Sequence, residues 1–215
     1  MLHEVVREHL ESFLAELAEQ GVALPRYVVD ELRRSLPCGS LSEGFARVVC
    51  RECGEEILVA FSCKGRAFCP SCCARRMSDT AAHLVDRVLP RVAYRQWVLS
   101  YPRIVRVALA RDAKATTASA SILMQEVFRW QRRQAKRAGL REARTGSVVF
   151  SQRFGSLLNL NIHHHAVVPD GVFTTGEDAP RFEKQAAPRL EELARVLARI
   201  VKRTRRMLSR RGLLD

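Results

Sequence analysis

Seven cysteines fall between residues 38 and 73, and four of them form two pairs at metal-ribbon spacing: Cys50-x2-Cys53, fifteen residues, then Cys69-x2-Cys72. Two cysteines three apart in a tight turn can aim both sulfurs at one tetrahedral ion, so two such knuckles supply the four bonds of a structural zinc site. The sequence between them is short and polar, so the metal must contribute much of the folding energy of this stretch. Cys63 could replace one of the four or stay a buried thiol. Cys38 and Cys73 complete no further pair and are expected outside the site. Four thiolates close the coordination sphere, which leaves a structural role and no chemistry at this ion. Lys64, Arg66, Arg75 and Arg76 lie inside or just after the module, where a rigid knuckle can present them to a phosphate backbone.

A second chemical signal is the run Asn159-Leu160-Asn161-Ile162-His163-His164-His165-Ala166-Val167-Val168. Read as a strand, it puts Asn159, Asn161, His163 and His165 on one face and Leu160, Ile162, His164, Ala166 and Val168 on the other. His163 and His165 then stand about 7 Å apart on the polar face, close enough to converge on one divalent cation. A surface run of satisfied polar residues would read the same way. No nucleophile-elbow motif for Ser/His/Asp catalysis and no Gly-rich phosphate loop is present, which removes the corresponding hydrolase and nucleotide-triphosphatase readings.

These residues need elements to hold them. Helical spacing covers 2–19, then 25–35, where Pro25 suits a first turn, and Ala74–Leu89, which Pro90 ends. A domain boundary is placed there: 1–90 as a helical, zinc-binding and DNA-binding domain, 91–215 as a second domain. In the second, Trp97–Leu99 and Ile104–Ala110 read as strands around Tyr101-Pro102. A helix over 116–138 follows, basic in its later turns through Arg132 and Arg133 among others, and Gly139 closes it. Ser147–Phe154 and Leu158–Val168 read as strands, a hairpin turns around Gly176-Glu177-Asp178, and a helix spans about 188–211 with a basic outer face. The class is α+β: N-terminal helices with a cysteine-rich module, then an antiparallel sheet packed with helices.

The chain has 215 residues, with 36 Lys and Arg against 23 Asp and Glu, a net charge of +13 and a pI near 10.2. Such an excess points to a polyanionic partner, nucleic acid first. Hydrophobic residues at 47% exclude a disordered chain. No segment has the ~18 uninterrupted apolar residues of a membrane span, and the acid-bearing N-terminus lacks the pattern of a signal peptide. A cytoplasmic, nucleoid-associated protein with no membrane partner is expected, its cysteines committed to metal in preference to disulfides.

Several segments carry a family resemblance: Leu36-Pro37-Cys38-Gly39, Val59-Ala60-Phe61-Ser62-Cys63-Lys64, Phe68-Cys69-Pro70-Ser71-Cys72, Ala74-Arg75-Arg76-Met77, Arg95-Gln96-Trp97-Val98-Leu99-Ser100, Gln152-Arg153-Phe154-Gly155-Ser156 and Asn159-Leu160-Asn161-Ile162-His163. In this order they resemble rolling-circle transposases of the tyrosine HUH type, the insertion-sequence-ninety-one group, which carry an N-terminal zinc-binding domain. The resemblance implies that residues 91–215 form an incomplete HUH-type nuclease domain. The family's His-hydrophobic-His pattern maps onto His163 and His165 as ligands of a catalytic Mg²⁺ or Mn²⁺.

It implies the chemistry as well. The cation polarises a scissile phosphate in single-stranded or melted DNA at transposon ends while a tyrosine hydroxyl attacks, leaving a 5′-phosphotyrosine link and a free 3′-OH. The family's nucleophilic tyrosine lies downstream of the histidine motif, whereas this chain has Tyr27, Tyr94 and Tyr101, all upstream. The chain is therefore expected to be the N-terminal piece of a longer transposase or a truncated product, with a non-catalytic DNA-binding regulatory role as the alternative. Glu43 stands where the family commonly has His, and Gln152 is a candidate third ligand of the cation.

Overall fold

A computed structural model of the chain describes residues 2–65, 69–155, 159–175 and 179–214. It divides into two compact units, Met1–Pro90 and Arg91–Asp215. The described residues form six α-helices and antiparallel sheets, an α+β fold.

In the first unit, α1 (Leu2–Glu19) and α2 (Arg26–Ser35) form a pair. Arg33 on α2 donates twice to the Glu11 carboxylate of α1, at 3.0 and 2.8 Å. Pro25 sits one residue earlier than a first turn, as the residue that precedes α2. After a 3-10 turn at Leu41–Glu43 the chain makes an antiparallel hairpin, β1 (Phe45–Val49) with β2 (Glu56–Ala60), which the sequence reading did not foresee.

Helix α3 runs Pro70–His83 and continues into a π-turn, Leu84–Val88, closed by Leu89 N–H on the Leu84 carbonyl at 2.7 Å. The expected start at Ala74 moves back four residues. Pro70 needs no N–H at a first helical position, and Cys69 takes the place before it. Among the described residues of this unit the buried apolar side chains are Leu10 and Cys69. So small a core cannot hold the unit by apolar burial alone.

The second unit contains β3 (Tyr94–Ser100), α4 (Arg103–Arg111), α5 (Ala113–Arg137), β4 (Val148–Phe154), β5 (Leu160–Pro169), β6 (Gly171–Thr174), β7 (Arg181–Lys184) and α6 (Leu190–Ser209). The expected strand over Ile104–Ala110 is helix α4. The β-branched residues there suggest a strand, but burial follows the helical spacing: Ala108 and Leu109 are buried, Val105 packs on the core, and Ile104 is exposed. Helix α5 begins at Ala113, three residues before the expected start, and Asp112 caps it, its carboxylate accepting from Ala115 N–H at 3.0 Å. The expected turn at Gly176–Asp178 lies outside the described residues; on either side of it β6 and β7 pair antiparallel.

The three-stranded sheet has the order β3-β5-β4, all antiparallel, so β5 is its centre. Ile162, His164, Ala166 and Val168 on β5 are wholly buried in a core with Leu99, Leu109 and Val127. The helical layer is further tied by Glu126 of α5, which is 1% exposed and accepts from Arg203 of α6 at 2.8 Å, with Arg129 at 3.3 Å and Arg199 at 4.0 Å. Three guanidinium groups around one buried carboxylate compensate its lost hydration.

An imidazole in the middle of this core needs both ring nitrogens satisfied. Ser119 of α5 meets His164 Nε2 and Ser151 of β4 meets Nδ1, each at 2.8 Å. Burial, reinforced by the neighbouring His163, lowers the His164 pKa to about 4. The neutral ring is thus the folded form, while the unfolded ring protonates near 6.5. Stability from this site is complete above about pH 6.5 and is lost as pH falls toward about 4. Urea midpoints measured from pH 7.5 down to 4.5 are expected to fall through this window, and His164→Gln should flatten that part of the profile.

Candidate metal centres and nucleic-acid interface

The first centre is built where the base of the β1–β2 hairpin meets the start of α3. Gly39 N–H bonds the Phe61 carbonyl and Phe61 N–H bonds the Gly44 carbonyl, both at 3.0 Å, which draws Cys38 and Cys63 together. Gly44 has φ of 112°, and a Cβ there would meet the Phe61 ring at 2.9 Å, so only glycine permits this closure. The early start of α3 brings Cys69 and Cys72 to the same point. The sulfurs of Cys38, Cys63, Cys69 and Cys72 all lie within 4.8 Å of one another. The Cys38–Cys72, Cys38–Cys69 and Cys63–Cys72 separations are 3.5, 3.5 and 3.6 Å. Tetrahedral zinc with bonds of about 2.3 Å spaces its sulfurs about 3.8 Å apart, so the donor set fits that ion.

Backbone donors support negative sulfur here, with Cys63 N–H on Cys38 Sγ at 3.4 Å and Gly65 N–H on Cys63 Sγ at 3.3 Å. Burial pushes the Cys63 thiol up to about 12. Burial acts the same way on Cys72, but donation from Cys38, Cys63 and Cys69 outweighs it and holds that thiol at about 7.

The expected set of Cys50, Cys53, Cys69 and Cys72 is corrected in its first pair. Cys69 and Cys72 come together with Cys38 and Cys63, while Cys50 and Cys53 are exposed at the far end of the hairpin. Five strand residues at about 3.3 Å each carry that tip about 16 Å from the hairpin base. Cys38, expected outside the site, is a member of it. Its nearest cysteine in sequence is twelve residues away, so spacing gave no sign of it. Cys73, one residue beyond the cluster on α3, is not part of it.

The second centre lies on the face of the sheet opposite the core. His163 and His165 are half-buried on central strand β5, flanked by Ser100 and Gln152 beside His163 and by Val98 and Phe150 beside His165. Their rings turn toward each other, with centroids 4.8 Å apart, closer than the roughly 7 Å strand spacing. His163 Nδ1 lies 2.6 Å from the Asn161 carbonyl, to which it donates, and this leaves a lone pair on Nε2 of the neutral ring. His165 Nδ1 meets the Gln96 side-chain amide at 2.9 Å, while His165 Nε2 and Asn161 Oδ1 are buried without a partner.

Two imidazoles, an orphaned amide oxygen and Gln152 opposite His163 make a neutral nitrogen and oxygen donor set that suits a divalent cation whose charge further ligands offset. Gln96 Nε2 is the atom that faces His165 Nδ1, so the amide donates and the neutral ring carries its proton on Nε2; for His165 Nε2 to serve as a ligand the amide must turn so that its oxygen accepts from Nδ1–H. Gln96, on the neighbouring strand, was not singled out by sequence spacing.

The basic residues separate by unit. Residues 91–215 hold 25 Lys and Arg against 10 Asp and Glu, whereas residues 1–90 hold 11 against 13. Lys64, Arg75 and Arg76 line one cleft beside Cys38 and Cys72, and Arg66 lies outside the described residues. Arg132 and Arg133 are exposed on α5. Arg133 shares a cleft between α5 and α6 with Arg129, Arg137, Arg195 and Arg199.

Comparison with family models gives two matches: residues 5–101 match the transposase zinc-binding domain of the IS91 type, and residues 146–214 match a family described as a putative transposase. The chain thus carries the zinc-binding domain of IS91-type transposases in its first unit and a transposase-family segment in its second. Neither curated proteins nor solved structures gave a match. Among the described residues no helix is long and apolar enough to cross a membrane.

The two centres make separable predictions. Cys38→Ser should release the cluster's zinc and unfold the first unit, read by metal analysis and circular dichroism, while Cys50→Ser leaves that ion in place. Gln96→Leu should weaken Mn²⁺ binding by about tenfold or more, measured by electron paramagnetic resonance, without loss of fold.

Proposed function

We propose that this transposase binds single-stranded or locally melted DNA at the ends of a mobile element and presents a scissile phosphodiester to a cation held by His163 and His165. The observation that supports this is the convergence of the two rings, 4.8 Å apart on the uncored face of the central strand, with His165 Nε2 unpartnered. Mg²⁺ or Mn²⁺ held there would withdraw charge from the phosphate oxygens. The Asn161 carbonyl holds His163 in the tautomer that ligation needs, and a turn of the Gln96 amide would do the same for His165. Cations of the helical layer on the other side of the sheet, Arg133 and Arg195 among them, would bind phosphates farther along the strand in a salt-dependent way. Lys64, Arg75 and Arg76 would add a second grip beside the zinc module.

The expected tyrosine nucleophile is not among the residues near the pair. Tyr101 is buried in the core on the other face of the sheet, where burial pushes its hydroxyl up to about 12. Tyr94 stands opposite Pro169, four residues along β5 from His165, and Tyr27 belongs to the first unit. This placement favours a second reading, in which these residues hold and orient DNA without cutting it.

A labelled single-stranded element end with Mn²⁺ distinguishes the two. Nicking that disappears in His163→Ala carries the nuclease reading, and tight, salt-sensitive binding without nicking carries the second. DNA affinity that does not change between 50 and 200 mM salt would overturn both, since several phosphate contacts should cost on the order of a hundredfold or more over that range.

A further inference from the structure

The Cys50–Cys53 pair is left over by the cysteine cluster, yet its local structure is that of a metal knuckle. The turn Cys50-Arg51-Glu52-Cys53-Gly54 joins β1 to β2, with Gly54 at φ of 73° and its N–H on the Cys50 carbonyl at 3.0 Å. The N–H groups of Cys53 and Glu52 both reach Cys50 Sγ and, with the Cys53 thiol, hold the Cys50 thiol below its ordinary value. Both cysteines are exposed. Among the described residues the one group of three or more metal-ligating side chains is the other cluster, so this turn offers two ligands where a closed thiolate site needs four.

The hairpin that carries the turn lacks cover on both of its sides. Val48, Ile57 and Val59 share one face and are 54, 59 and 43% exposed, while Phe45 and Leu58 are exposed on the other. A knuckle with two open positions and an apolar ribbon beside it call for the same partner. A two-fold axis through the ion supplies two further thiolates of identical geometry and a second ribbon of identical composition. Each tip carries Glu52 and Glu55 against Arg51, so two tips repel until a cation lies between them.

We propose that Cys50 and Cys53 are half of a second zinc site, completed by the same two cysteines of a second copy of this chain. Four thiols release their protons as four zinc–sulfur bonds form, and the joined tips place the two ribbons within reach of each other.

The full chain, purified under reducing conditions and supplied with zinc alone, tests this. Expected are about 1.5 zinc per chain and a dimer mass by light scattering, and removal of the shared zinc with a mild chelator should return the monomer. Cys50→Ser/Cys53→Ser should hold about one zinc and run as a monomer with an unchanged circular dichroism spectrum. Cadmium-113 spectra guard against misfolding: the wild type should give two thiolate-bound signals at about 2:1, and the variant should lose the smaller. A wild type that stays monomeric with one or two zinc per chain overturns the proposal, as does a dimer that persists in the double variant. Neither result bears on DNA binding by the second unit.

Discussion

The two-residue period of one central strand governs the second unit. On β5 it sends Ile162, His164, Ala166 and Val168 into the core and leaves Asn161, His163 and His165 on the opposite face. A slip of one residue would bury the paired imidazoles and expose the apolar set, so register and site are fixed by the same interaction. His164 adds a polar tie within that core, its two nitrogens held by Ser119 and Ser151 from two different elements. The apolar residue that family patterning favours there would pack as well but would leave the serines without their ring partner.

The first unit works by another principle. With Leu10 and Cys69 its only buried apolar side chains among the described residues, it cannot rely on burial, and its order converges instead on four sulfurs from three segments. One segment precedes the hairpin, one follows it, and one starts a helix. Closing that ring of contacts fixes the hairpin base and the direction of α3 at once, so a bound ion substitutes for a hydrophobic core.

Much of this was legible in the sequence, for reasons that differ by residue. The strand alternation at 159–168 named His163 and His165 as a same-face pair because backbone pleating alone determines it. Helices α1, α5 and α6 follow from long apolar periodicity. Helix α4 was misread because its β-branched residues carry a strand preference that the core packing of Ala108 and Leu109 overrides. The cysteine cluster was half legible. Cys69 and Cys72 are local and follow from spacing, whereas Cys38 and Cys63 meet only because a hairpin folds back between them, and that hairpin has no strong turn signature of its own. Gln96 was hidden for the same reason: its role exists only across the β3–β5 ladder.

The uneven distribution of charge has a kinetic meaning. A strand of nucleic acid diffusing toward this protein feels attraction from residues 91–215 and almost none from residues 1–90, long before any atom touches. Such an encounter would be oriented from the outset, with the basic half leading. Added electrolyte would slow that first approach and loosen the phosphate contacts that follow it.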